Sequence, residues 1–122
     1  MTIDKVERKR GCYETIALTG IERKEQVYVL FESVTDIIGD EELHHAECYP
    51  HWTFTSTGGV EWEVSLLDEY MHYSQIKGLA SVVLSTIPYA EIESIGCELS
   101  IDISSLVGIS IAMKNGVEIR LI

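Results

Sequence analysis

Apolar and polar positions alternate along Val107–Leu121 on either side of Lys114-Asn115-Gly116. A period of two is the signature of half-buried strands, so the segment predicts a hairpin. Side-chain pairing selects its loop. With three loop residues Met113 faces Val117, Ile111 faces Ile119 and Ile109 faces Leu121. A two-residue Asn-Gly turn would instead oppose Lys114 to Val117 and Ser110 to Leu121. Matched apolar pairs stabilise a sheet and mismatched ones do not, which favours the three-residue loop with Gly116 in the left-handed conformation.

The same test applied to His51–Val64 makes Thr57-Gly58-Gly59 the loop, with Ser56 across from Val60, Phe54 from Trp62 and Trp52 from Val64. Both Trp and a Phe then share one face, and Thr53, Thr55, Glu61 and Glu63 share the other. A third hairpin is expected from Cys12–Leu18 and Gln26–Phe31, with Glu22-Arg23-Lys24-Glu25 at its tip. Alternation of Leu99, Ile101 and Ile103 with polar neighbours predicts another strand.

One helix is expected over residues 66–77. Ser65-Leu66-Leu67-Asp68 has capping-box spacing, Asp68 and Glu69 suit the positive end of the helix dipole, and Lys77-Gly78 would close the other end. Pro88–Ile95 reads either as a shorter helix or, from Ile92 to Ile103, as bent strand. Asp40-Glu41-Glu42 is placed to start a helix that Pro50 ends. The expected fold class is α+β, a mainly antiparallel β-sheet built from hairpins with one or two helices packed on it, in one domain spanning residues 1–122. Trp52, Phe54, Trp62, Val64, Leu67, Tyr70, Ile101, Ile109, Ile111 and Ile119 form the expected core.

Charge changes the picture more than length does. The 122-residue chain has formal net charge −11, unevenly spread. From Glu25 to Ile76 there is no Lys or Arg, yet eleven Asp and Glu, all four His and both Trp fall in that stretch. Such a field repels nucleic acid and anionic membrane and attracts cationic partners. No stretch approaches the length of an apolar membrane span, and the basic start up to Arg10 does not read as an export signal. Three widely spaced Cys, an odd number, fit small core thiols in a reducing compartment. A cytoplasmic protein is expected.

His44, His45, Cys48 and His51, with Glu47 alongside, are the densest set of potential metal ligands. A helix over 41–48 would set His44 and Cys48 one turn apart, but the spacing matches no common zinc motif, and a polar helix with a buried Cys is the plainer reading. Cys48 lacks the local sequence that surrounds a nucleophilic thiol. The carboxylate pairs Glu61/Glu63, Asp68/Glu69 and Glu91/Glu93 suit solvated faces better than an acid and base of divergent pKa. Gly58-Gly59 is a hairpin tip without a phosphate-binding context. No catalytic residue, metal or cofactor is therefore expected.

What remains is an acidic, aromatic binding surface. Carboxylates on a sheet face take the places of phosphates at a basic active site, and Tyr and Trp would supply anchors. The expectation is a small binding protein that occludes the active or nucleic-acid-binding surface of a cationic protein, such as an immunity protein or antitoxin to a nuclease toxin, or a phage inhibitor of a host defence nuclease. Glu61 and Glu63 are the first choice of partner-binding residues, followed by Asp40, Glu41, Glu42, Asp68 and Glu69. The alternatives are an enzyme using the His44–His51 cluster and a self-associating module, a homodimer paired through an apolar strand edge such as Ile109–Met113 or Val117–Ile122.

Overall fold

The computed structural model describes residues 6–10, 14–38, 44–45, 50–78, 80–100 and 105–122. Two antiparallel five-stranded sheets and one helix make an α+β fold. The first sheet is built from β1 (Val6–Arg10), β2 (Glu14–Thr19), β8 (Ile92–Leu99), β9 (Leu106–Met113) and β10 (Glu118–Leu121), in that spatial order. The second runs β3 (His44–His45), β4 (Pro50–Thr55), β5 (Glu61–Leu66), β6 (Tyr70–Lys77) and β7 (Ala80–Pro88). Helix α1 (Lys24–Ile38) joins β2 to the second sheet and contacts β2 and β5.

Both predicted hairpins form in the predicted registers. In β9–β10, Ile111 pairs with Ile119 and Ile109 with Leu121. The Met113 N–H donates to the Val117 carbonyl at 2.8 Å, and Gly116 adopts φ +91, so the loop has three residues. In β4–β5, Trp52 pairs with Val64 and Phe54 with Trp62. Ser56 N–H donates to the Val60 carbonyl at 2.9 Å, closing the Thr57–Gly59 loop. That loop is tied to the first sheet by a 3.1 Å bond from Thr57 N–H to the Val107 carbonyl.

Helix α1 replaces the third expected hairpin. The window Gln26–Phe31 is a short run of β-branched, aromatic and aliphatic residues that reads as strand, but Val27, Leu30, Phe31 and Val34 are the residues the helix buries, at helical spacing. Burying each contributes about 1.5–3 kcal/mol. Charged residues 22–25 are the helix start rather than a hairpin tip: the Gln26 Oε1 accepts from the Glu22 and Arg23 N–H groups, and its Nε2 donates to the Gly20 carbonyl. Three otherwise open backbone groups are satisfied in this way.

The expected helix over 66–77 is overturned in its turn. Leu66 ends β5, the chain reverses through Leu67-Asp68-Glu69, and Tyr70–Lys77 is a strand paired on both sides. Leu67 N–H donates to the Tyr70 carbonyl at 3.0 Å, so the apparent capping box is a hairpin turn. Met71 is buried among its sheet neighbours, whereas His72 is half-buried, the alternation of a strand. Two-sided pairing outweighs local helix propensity here. Gly78, at φ +64, serves the β6–β7 turn and caps no helix.

The Pro88–Ile95 region is one 3-10 turn, Tyr89–Glu91, followed by β8, so the bent-strand reading holds over Ile92–Leu99. Strand pairing of His44 and His45 excludes the helix expected across them. Ile101, Ile103, Asp40, Glu41, Glu42, Glu47 and Cys48 lie outside the described residues. One buried cluster draws on both sheets and α1 and includes Ile109 and Ile111. Of the expected core, Leu67 and Tyr70 are half-buried, and Ile119 packs against the cluster only in part. No described helix is long and apolar enough to cross a membrane.

Candidate partner-binding face

Alternation along β4, β5 and β6 divides the second sheet into two unlike faces. Trp52, Phe54, Trp62, Val64, Leu66 and Met71 line the inner one and are buried. The Trp52 ring stacks on Phe31 with centroids 4.9 Å apart and meets Tyr28 edge-on at 5.8 Å, and its Nε1 donates to Thr35 Oγ1 at 3.2 Å. Trp62 tilts against Tyr73 at 6.2 Å. The indoles are thus committed to the core, which corrects the expectation that Trp supplies partner anchors.

The outer face is read from the ladder pairs. Thr55 lies opposite Glu61, and Thr53 opposite Glu63, which in turn faces Ser74. Glu61 is exposed and Glu63 half-buried. A shallow hollow of about 210 Å³ opens beside them, lined by Thr53, Phe54, Thr55, Glu61 and Ile76. The next row crosses all five strands: His44, His51, Ser65, His72 and Thr86 follow one another in register. Ser65 is buried between half-buried His51 and His72. Tyr70, two residues from His72, stacks obliquely on it with ring centroids 5.3 Å apart. Tyr70, His72 and, across Ser65, His51 are therefore half-buried rings on this face.

Glu61 and Glu63 stand together on this surface, but Asp68 and Glu69 do not join them. They occupy the β5–β6 turn at the far end of β5, about 17 Å from Glu61 at the usual strand rise. Asp68 also pairs with Lys24 at 3.3 Å across the start of α1. Its side chain is 97% exposed, so solvent screens that pair heavily. A second acidic surface, unforeseen in the strand reading of Gln26–Phe31, lies on α1, where Glu25, Glu32 and Asp36 are exposed. Their spacing of seven and four residues is the signal that a longer window reveals.

The remaining chemistry is quiet. Cys97 is wholly buried, and burial pushes its thiol up to about 12, leaving a packing residue without thiolate character. The phenol of Tyr28 is raised by burial and then by the neighbouring Glu32 carboxylate. Among the described residues no three His, Cys, Asp or Glu converge on one point. His44 and His45 are paired as strand, His44 with His51 and His45 with Pro50, and Cys48 lies outside the described residues. Comparison of the chain with protein-family models, curated proteins and solved structures finds no match.

Proposed function

We propose that this chain is a binding protein that docks a cationic protein on the outer face of β4–β6 and so blocks the partner's active or nucleic-acid-binding surface. The observation that supports it most is the placement of Glu61 and Glu63 on one solvent-facing ladder in a segment without Lys or Arg. An immunity protein or antitoxin to a nuclease toxin, or an inhibitor of a defence nuclease, is the concrete form of the proposal.

Long-range attraction to such a face speeds encounter and is weakened by salt, while short-range contacts set the lifetime of the complex. Tyr70 and His72 are the rings placed to make those contacts, in the role first expected of the Trp side chains. Reversing charge at Glu61 and Glu63 tests the reading through the association rate. Self-association through Ile109–Met113 loses its premise, since β9 lies between β8 and β10; only β10 of that hairpin is an edge.

A further inference from the structure

The outer strands of the two sheets are not equally guarded. Unpaired N–H and C=O groups along a sheet edge recruit any strand that approaches, and charge or brevity prevents it. Among the described residues the edges are β1, β10, β3 and β7. Four of the five residues of β1 are charged, two of the four in β10 are charged, and β3 is only two residues long. Strand β7 has nine residues and no charge. Its one irregularity is a bulge at Leu84, which leaves eight residues in register with β6. Val82 is 45% exposed and Thr86 is exposed, so uncharged side chains accompany the open backbone.

The two ends of this edge carry opposite charge. Lys77, the only Lys or Arg between Glu25 and Met113, pairs with Ala80 where β7 begins. At the other end the Tyr89 N–H donates to the Glu69 carbonyl, Glu91 closes the 3-10 turn, and the Lys114 N–H donates to the Glu91 carbonyl. Two carboxylates there stand against one ammonium, and Lys77, Glu69 and Glu91 are all exposed. Symmetric antiparallel pairing sets the start of one strand against the end of its copy, so Lys77 of each chain approaches Glu69 and Glu91 of the other. A cationic protein would be drawn to the acidic faces instead, whereas two copies at −11 approach most easily along a neutral edge with complementary ends. We propose that β7 pairs with β7 of a second copy of this chain, joining their five-stranded sheets across a two-fold axis. The pairing uses the edge and leaves the outer face of β4–β6 open, so it does not rest on the docking reading.

The test is sedimentation equilibrium of the full chain over a concentration series, with amide hydrogen exchange read at its two extremes. A reversible monomer–dimer equilibrium is expected, with the β7 amides better protected in the concentrated sample. Val82→Lys places a charge on the edge and Lys77→Glu makes both ends acidic, so each should weaken dimerisation at least about tenfold. The swap Lys77→Glu/Glu69→Lys/Glu91→Lys should restore it, and Val117→Lys, beside the β10 edge, should leave it unchanged. Circular dichroism of each variant separates lost pairing from lost fold, and the exchange measurement on the parent chain needs no variant. A parent chain that stays monomeric across the series, or β7 protection that does not depend on concentration, would overturn the pairing. So would a dimer lost in Val117→Lys but kept in Val82→Lys, or a charge swap without rescue.

Discussion

The phenolic hydroxyl of Tyr89 donates to the main-chain carbonyl of Leu67 at 2.6 Å, joining the crossing between the two sheets to the β5–β6 turn. Tyr89 sits where β7 hands over to β8, and its own N–H donates to the Glu69 carbonyl at 3.3 Å. One buried side chain therefore satisfies the turn that displays Asp68 and Glu69 and fixes where the chain leaves the second sheet. Tyr89→Phe keeps the ring and strands the Leu67 carbonyl, for an expected loss of about 1–3 kcal/mol in urea unfolding.

The same residue gives a pH dependence. Burial, then Asp68 and Glu25, raises the Tyr89 phenol above its ordinary 10.0, so the folded protein resists ionisation that the unfolded chain accepts. Stability from this source is complete below about pH 10 and falls above it, as the unfolded state releases a proton that the folded state keeps. Alkaline unfolding should therefore be steeper in the parent chain than in Tyr89→Phe. Equal slopes would mean that Tyr89 ionises freely in the fold.

Trp52 and Trp62 share a face but differ in their polar atoms. Trp52 Nε1 has Thr35 Oγ1 as acceptor, whereas Trp62 Nε1 is buried and has none. An unmet buried donor opposes folding, so removing it offsets part of the packing lost with the indole. Trp62→Phe is expected to destabilise less than Trp52→Phe, by about 1 kcal/mol, the size of one net hydrogen bond. Paired denaturant titrations measure the difference directly.

Ile111 is fully buried between Ile95 on β8 and Ile119 on β10. Ile111→Ala should cost about 2–5 kcal/mol of unfolding free energy, because the cavity lies between paired strands that cannot close independently. A change of a few tenths would mean that the site relaxes around the smaller side chain.

The sequence made some of this architecture legible and concealed the rest for identifiable reasons. Each hairpin could be tested residue by residue, because a wrong register opposes Lys114 to Val117 or moves Trp52 off the apolar face. Placement of Glu61 and Glu63 on the outer face followed from the same alternation. Helix α1 was hidden because Gln26–Phe31 is a short, nearly continuous apolar run in which periodicity cannot tell strand from helix, and only Val34 and Ile38 beyond it decide. Strand β6 was hidden because Ser65-Leu66-Leu67-Asp68 imitates a helix start, and the pairing with β5 and β7 that overrides it is not local. The two Trp were expected both in the core and as partner anchors, and the core claims them. The row of His44, His51 and His72 depends on the registers of four strands, which no short window contains.

The docking claim is tested most directly by association kinetics of the parent chain and Glu61→Lys/Glu63→Lys. The probe is the cationic protein that the immobilised parent chain captures from a lysate of its source organism. Both chains should show the same circular dichroism spectrum, since Glu61 and Glu63 lie on the face away from the core. The account predicts a markedly slower association of the reversed chain at low ionic strength, with the two rates converging as salt rises. Equal association rates at low salt, or capture of no cationic protein that distinguishes the two chains, would contradict it.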